Sequence, residues 1–381
     1  MINTDKVLIV KYDNEMYVRL LERGFRDRDF IETIEGMIFC VIGNVHPKNS
    51  VVAYLKYVPY AESSIRVKWS RDGVMYGRVL PFYSAIGVQS VIEYLKRNYP
   101  HYVVYDEYRN IELIEVEKRW IKKHYRPEER LNEILNEPKD SLEQMAKELV
   151  TKLSEESGVS LKYFGITGSI LLNIHNPSIS DIDIVVYGKE NSYRVKEALL
   201  RLYANAVSSN FSLPQGDILM EWARDIIKIH PLNLDEALLL YGKFKWNRAL
   251  YMGRQFSIHP VKLENEVNEE WEQKRYRPMG IATIKAKVVD SSDSIFMPAI
   301  YNVDDVEVIE GNEEAIKVSK VVSYEGLYID LATPGEDVIV RGKLEEVIDL
   351  KTSEKHYQIT VGTYEAGGKD YIKPVKWFKH K

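Results

Sequence analysis

Hydrophobic and polar positions predict β-rich structure at both ends of the chain. From residue 1 to about 115, apolar runs such as 37–42 and 51–58 are separated by turn-forming residues, which predicts strands. One helical pattern interrupts them at 90–97. Beyond residue 279, short β-rich runs with turns between them predict a small all-β barrel or sandwich. These runs are 281–289, 306–309, 318–322, 327–331, 338–341 and 357–362.

The middle of the chain alternates helical and strand patterns. A charged segment at 116–139 predicts a helical linker that ends at Pro138, and a new helix begins where Asp140 caps and Glu143 follows at capping-box spacing. Strands are predicted at 161–164 and 182–187, a helix at 193–203, and a hairpin from 249–252 and 255–262. We therefore expect an α+β protein with an N-terminal β-rich domain (1–115), the linker (116–139), an α/β core (140–278) and a C-terminal all-β domain (279–381).

Composition narrows the class of protein. A net charge of −5 provides no overall basic field, so contact with nucleic acid would depend on local patches. The single cysteine, Cys40, excludes an intramolecular disulfide and lies in an apolar run typical of a buried residue. No stretch reaches the ~20 apolar residues of a membrane span, and the first residues do not read as a signal peptide. We expect a cytoplasmic protein with no membrane contact.

The segment 161–188 carries the clearest candidate chemistry. Side chains alternate along a strand, so Asp181 and Asp183 project from the same face. Two adjacent carboxylates repel each other unless a cation lies between them, and Mg²⁺ favours such oxygen ligands together with substrate phosphates. Gly168 and Ser169 form a strand-to-helix turn whose backbone amides suit a phosphate. The sequence thus predicts a metal pair beside a phosphate turn.

Gly168-Ser169, eleven intervening residues and Asp181-Ile182-Asp183 resemble the signature of the DNA polymerase β nucleotidyltransferase superfamily. The resemblance covers about residues 140–265. It implies that the 140–278 core is a nucleotidyltransferase domain, that Gly168 and Ser169 bind the triphosphate, and that Asp181 and Asp183 bind Mg²⁺ or Mn²⁺. It also implies transfer of a nucleoside monophosphate from a nucleoside triphosphate to an acceptor hydroxyl, with pyrophosphate leaving.

One feature of that superfamily is missing from the expected place. Its members usually supply a third carboxylate from a later strand, whereas the corresponding strand here contains His259 and no acid. The acids Asp217, Glu221, Asp225 and Glu264 are near in sequence but not on that strand. A non-catalytic nucleotide or nucleic-acid binding protein that keeps the fold is therefore the alternative to an enzyme. A structural scaffold is a third option, which leaves the phosphate turn and the acid pair unexplained.

Three clusters that interleave basic and aromatic residues favour RNA as the acceptor over a protein hydroxyl or a small molecule. They lie at 118–130, 243–254 and 373–381. The second is adjacent to the His259 strand, and its Lys243, Lys245, Arg248 and Arg254 are the candidate acceptor-binding residues. Solvated surface charge is an equal alternative for each cluster.

Overall fold

A computed structural model describes residues 9–12, 15–18, 23–59, 67–71, 73–79 and 85–380. The N-terminal elements are β1 (Ile9–Tyr12), β2 (Glu15–Val18), β3 (Phe30–Thr33), β4 (Ile38–Val41), β5 (Ser50–Pro59), β6 (Val67–Arg71), β7 (Val74–Arg78), α1 (Ala85–Asn98), β8 (Val103–Asp106), β9 (Ile111–Glu117) and β10 (Ile121–Tyr125). The middle elements are α2 (Pro127–Asn136), α3 (Ser141–Ser157), β11 (Phe164–Ile166), α4 (Gly168–Leu171), β12 (Ile182–Tyr187), α5 (Lys189–Ala204), α6 (Ala206–Ser209), β13 (Phe211–Ser212), α7 (Gly216–Ile226), α8 (Leu234–Leu239), β14 (Arg248–Tyr251) and β15 (Arg254–Val261). The C-terminal strands are β16 (Lys274–Asp293), β17 (Ala299–Glu310), β18 (Val318–Ser323), β19 (Asp337–Asp349), β20 (Lys355–Val361) and β21 (Tyr371–Pro374).

The N-terminal sheet has the strand order β10-β3-β4-β5-β7-β6, and β9 pairs with both β5 and β8. The strands predicted at 37–42 and 51–58 and the helix at 90–97 are all present. The helical prediction for 116–139 is wrong over its first half, because residues 121–125 form β10 and pair with β3. The local charge pattern favours a helix there, but pairing with a strand about ninety residues earlier stabilises the extended conformation instead. Only α2 keeps the predicted helix.

The middle sheet has the order β11-β12-β15-β14-β13, with β12 and β15 parallel. Helix α3 begins where predicted, because the Asp140 side chain accepts hydrogen bonds from the backbone N–H groups of Leu142 and Glu143. The first strand is displaced from the predicted 161–164, since residues 161–163 form a 3₁₀ turn and the strand is Phe164–Ile166. The predicted hairpin is present as β14 and β15. Apolar residues of α3 and α5 pack on one face of this sheet in a common core.

The C-terminal strands close into a ring. Strand β16 pairs with β17, β17 with β18, β18 with β20, β20 with β19, and β19 again with β16, while β21 joins the outer edge of β19. The sequence left a barrel and a sandwich open for this region, and the closed ring of strands is a barrel. The strand predicted at 327–331 is wrong: Gly326–Tyr328 is a 3₁₀ turn. Its apolar residues are buried in the barrel core, so hydrophobicity there reflects core filling and not strand pairing.

The three regions surround a cavity of about 1090 Å³. The β8–β9 turn contacts the start of β16, where the Tyr276 backbone N–H donates to the Tyr108 carbonyl at 2.7 Å. Asn44 donates its side-chain amide to the carbonyl of Lys262, 2.8 Å away, just after β15. Within the described residues, no helix has the length and apolar character of a membrane span.

Candidate active site

The two aspartates of the motif lie at the start of β12 and face the cavity. Ile182 and Ile184 project to the opposite side and are fully buried in the core beneath α3 and α5. Asp181 and Asp183 both line the cavity wall, as the two-residue period of a strand requires. The backbone of Asp183 also accepts a hydrogen bond from Thr167 N–H at 2.9 Å, which connects the acid strand to the turn before Gly168.

Glycine is required at position 168 for two reasons. Its φ is 68°, in the left-handed region that residues with a Cβ rarely adopt. A Cβ at this position would also collide with Oδ2 of Asp183. The turn therefore brings the backbone of Gly168 and Ser169 directly against a carboxylate of the pair. Because α4 is a single turn of four residues, its contribution to anion binding comes from backbone N–H groups and not from a long helix dipole.

The neighbouring strand β15 faces the acid pair with neutral side chains. Asp183 pairs in register with Ser257, so residues 255, 257 and 259 share the face of the two aspartates. The Ser257 hydroxyl donates to Oδ1 of Asp183, and Nε2 of His259 lies 2.9 Å from that hydroxyl and 3.4 Å from the same carboxylate oxygen. The Gln255 side-chain amide donates to Oδ2 of Asp181 at 3.3 Å.

His259 thus lies where the sequence placed it, beside the acid pair and on the strand that usually carries the third acid. Gln255 and Ser257 were missed by the sequence reasoning. They could have been predicted from side-chain alternation in the strand 255–262. If that strand runs parallel to 182–187, residues 255, 257 and 259 lie on the face of the two aspartates.

The acids that are near in sequence but were not expected on that strand lie away from the acid pair. Glu264 forms an ion pair with Arg26 and its side chain is 53% exposed. Asp225 pairs with Lys228 on the surface of α7, and Asp217 and Glu221 are exposed on the same helix.

Mutual repulsion sets the protonation of the acid pair. The negative charge of Asp183, together with burial, raises the pKa of Asp181 to about 6. Burial acts in the same direction on Asp183, but the hydrogen bond and charge of His259 and the charge of Lys56 hold the pKa of that carboxyl well below its usual range. Burial and the nearby charge of Arg28 lower the pKa of His259 to about 4, so its imidazole is neutral at pH 7. A cation between the aspartates would relieve their repulsion, which is the fit expected of a divalent metal site.

A second group of metal-ligand side chains belongs to the helix cap. Within the part of the chain that the structure describes, Asp140, Glu143 and His175 have ligand atoms within 4.8 Å of one another. Asp140 caps α3 and accepts from His175 at 2.8 Å. Glu143 forms a buried ion pair with the guanidinium of Arg130. Each of the two acids therefore already has a partner, and the group serves as a structural cap of α3.

The basic cluster at 243–254 does not form one surface. Lys245 is buried and donates to the carbonyl of Leu327 at 3.1 Å, connecting the middle region to the barrel, and burial lowers its pKa to about 7. Arg254 donates to the carbonyls of Pro177, Ser178 and Ser180. Arg248 lines the cavity with its guanidinium 4.4 Å from the ring centre of Trp222, and Lys243 is exposed. The cluster predicted from sequence is therefore dispersed over a core contact, a loop anchor, the cavity wall and the surface.

Comparison with known proteins agrees with the geometry. The family described as "Nucleotidyltransferase domain" matches residues 146–250, a range that contains the phosphate turn and both aspartates. An uncharacterized protein of Methanocaldococcus jannaschii, MJ1086, is 34% identical over 351 residues, which cover 91% of this chain and 98% of that relative. No solved structure matches the chain. The chain therefore contains a nucleotidyltransferase domain, consistent with a member of the DNA polymerase β-type superfamily.

Proposed function

We propose that the protein is a metal-dependent nucleotidyltransferase that moves a nucleoside monophosphate from a nucleoside triphosphate to an acceptor hydroxyl. The observation that carries the proposal is the contact between Gly168 and Asp183. It holds a phosphate-binding turn and a pair of carboxylates against each other at one point of the cavity wall. A glycine turn or an acid pair alone is common. The two in contact can bind a polyphosphate, with the turn holding phosphate oxygens and the acids holding the accompanying metal ion.

The groups at the candidate site have distinct roles in the proposed reaction. Asp181 and Asp183 hold Mg²⁺ or Mn²⁺, and a bound cation would stabilise charge on the reacting phosphate and lower the pKa of the attacking hydroxyl. Backbone N–H groups at Gly168 and Ser169 bind the triphosphate. Ser257 and His259 orient the Asp183 carboxylate through Oδ1. In the reaction, the acceptor oxygen forms a bond to the α-phosphorus, the bond to pyrophosphate breaks, and the hydroxyl proton passes to solvent.

The neutral face of β15 favours one alternative, a protein that binds the nucleotide without transferring it. Residues 255, 257 and 259 place an amide, a hydroxyl and an imidazole where a third carboxylate would complete a two-metal site. Binding through Asp181 and Asp183 would persist, because the phosphates bring their own charge. Turnover would be slow unless His259 compensates for the missing acid.

Fewer observations bear on the acceptor than on the nucleotide. RNA stays a prediction, although the dispersal of the 243–254 cluster removes the strongest of its sequence arguments. The cavity wall at the barrel end carries aromatic and basic side chains, including Trp271, Tyr276 and Lys320, which suit a nucleotide or another ring-bearing acceptor equally well.

The decisive experiment is a transfer assay. The full chain is incubated with each α-labelled ribonucleoside triphosphate, Mg²⁺ or Mn²⁺, and separately total RNA, a protein mixture or small hydroxyl compounds. We expect metal-dependent labelling of one acceptor class with release of pyrophosphate, and loss of both in Asp183→Asn. Triphosphate binding without labelling of any acceptor would support the binding protein, and no triphosphate binding at all would contradict both.

A further inference from the structure

Three cations of the N-terminal region line the cavity that holds the acid pair. Arg28 precedes β3, Lys56 lies in β5 and Arg78 ends β7, so the three cations come from separate segments of the chain. All three line the same cavity as Asp181 and Asp183. The N-terminal region therefore contributes these three cations to the cavity of the acid pair, with Asp27 lining it beside Arg28.

Lys56 lines this cavity because of the alternation of β5. Val52, Tyr54 and Lys56 share the face that lines the cavity, and Lys56 is only 8% exposed. Its ammonium lies 5.0 Å from the ring centre of Phe30. Burying an ammonium costs free energy unless anions lie close to it. The charge of Lys56 contributes to the lowered pKa of Asp183, and at Asp181 it opposes the larger effects that raise the pKa. The charge of Lys56 is thus directed at the site and not at solvent.

Arg28 is attached to the phosphate turn itself. Its backbone carbonyl accepts a hydrogen bond from Oγ1 of Thr167 at 2.7 Å, and Thr167 immediately precedes Gly168. Its φ is 70°, an uncommon value for a residue with a side chain and one that clusters at functional sites. Its buried Nε forms an ion pair with the Asp27 carboxylate at 3.3 Å, without the geometry of a hydrogen bond. A guanidinium carries several N–H donors, so it can face Asp27 and still bind a phosphate, which accepts two parallel bonds.

A triphosphate on the Gly168–Ser169 turn would lie in the cavity that both the acid pair and these cations line. We infer that Lys56 and Arg28 bind the β- and γ-phosphates, so that the N-terminal sheet supplies the positive side of the nucleotide site and positions the leaving pyrophosphate. This inference rests on the proposed function, because it needs a triphosphate at the turn. It makes the N-terminal region part of the site and not an accessory to it.

The alternative is that Lys56 only neutralises the acid pair, and it has different consequences. A neutralising residue affects everything that the aspartates bind, including the metal and a nucleoside monophosphate. A residue that contacts the β- and γ-phosphates affects the triphosphate selectively. The ratio of triphosphate to monophosphate affinity therefore separates the two roles.

The test uses two substitutions that keep the local structure. Lys56→Met preserves the buried aliphatic chain and removes the charge. Arg28→Gly removes the guanidinium while glycine accepts the positive φ. Calorimetry with Mg²⁺ compares α,β-methylene analogues of the common ribonucleoside triphosphates with the corresponding monophosphates. Each variant should lose about tenfold or more in triphosphate affinity, with monophosphate affinity within about twofold, as expected for one charge-assisted hydrogen bond.

Two controls accompany the variants. Lys56→Arg keeps the charge and should retain most of the triphosphate affinity. Lys123→Met makes the same change at an exposed position of β10 in the same region and should leave both affinities unchanged. Thermal midpoints check the fold, and if Lys56→Met does not fold, Arg28→Gly decides the question.

The possible failures are distinct. If the unaltered protein binds no triphosphate, the proposed function is wrong and the inference falls with it. If it binds and both variants bind equally well, the inference alone is overturned. An equal loss of triphosphate and monophosphate affinity also overturns it, in favour of a neutralising role.

Discussion

The two walls of the cavity differ in how the chain builds them. The acidic wall comes from one strand, where Asp181 and Asp183 are two residues apart and share a face. The basic wall comes from three segments, with Arg28, Lys56 and Arg78 spread over about fifty residues. Strand periodicity alone places the acidic pair side by side. The basic wall exists only after β3, β5 and β7 are paired in one sheet.

The 243–254 cluster shows the opposite relation between sequence and space. Its cations are close in sequence but dispersed in space, because a helix end, a hairpin strand and a turn point in different directions. Proximity in sequence predicts a shared surface only when the side chains follow one regular period. Long-range sheet pairing can create a charged surface from residues that look unrelated, and it can disperse one that looks continuous.

Substitution of both aspartates of the acidic wall should have the largest effect on ligand binding. In Asp181→Asn with Asp183→Asn, metal-dependent triphosphate affinity should fall by roughly 100-fold or more, since loss of even an outer-shell partner of a metal ligand costs about 10–100-fold. Isothermal calorimetry measures this directly. Asp217→Asn with Asp225→Asn removes the same charge from the exposed face of α7 and should change nothing. Unchanged affinity in the site variant would remove the basis of the proposed function.

An extension of the acidic wall onto β15 should have the next largest effect. His259→Asp supplies the carboxylate that the strand lacks, so a second divalent ion should bind about tenfold more tightly and any transfer should accelerate. Mn²⁺ titration and the transfer assay report the two effects. His259→Asn removes the imidazole without adding charge and should not produce either gain. Slower transfer in the Asp variant of a fast enzyme would assign His259 a role of its own.

Repulsion within the acidic wall should appear in stability without metal. The pKa of Asp181 is raised to about 6, so its ionisation disfavours the folded state as pH rises from about 4 through 6. Asp181→Asn should therefore stabilise the metal-free protein at pH 7.5 by on the order of 1 kcal/mol, and the gain should vanish at pH 4, where the carboxyl is protonated. Thermal unfolding in chelator measures it. Asp225→Asn removes a carboxylate from the exposed surface of α7 and is the control for a change of net charge. A loss of stability of Asp181→Asn at pH 7.5 would show that Asp181 has a stabilising partner.

The smallest effects are expected from the dispersed cluster. If the protein binds single-stranded RNA, Lys243→Ala should reduce the slope of log affinity against log salt by at most about 0.7, the value for one phosphate contact. Arg254→Ala should leave the slope unchanged, because that guanidinium bonds loop carbonyls. Filter binding over a salt series tests both. A protein without salt-dependent RNA binding would exclude RNA as the acceptor.

Local patterns were sufficient for the helix cap at Asp140, the strand at 182–187, the hairpin across Gly253 and the position of the acid pair beside the Gly168-Ser169 turn. Each depends on residues within a few positions of one another, where backbone geometry fixes which side chains meet. The same local logic failed at 121–125 and at 327–331. In the first case a distant strand offered pairing, and in the second the barrel needed apolar filling.

What only the tertiary structure decided is which side chains face the acid pair. The parallel register of β12 and β15 brings Ser257 and His259 to Asp183, and the N-terminal sheet brings Lys56 and Arg28 to the same cavity. Sequence by itself determined one half of the site because two-residue periodicity is a property of any strand. The other half depends on contacts between segments far apart in the chain, and these are selected by the burial of whole sheets and not by any local pattern.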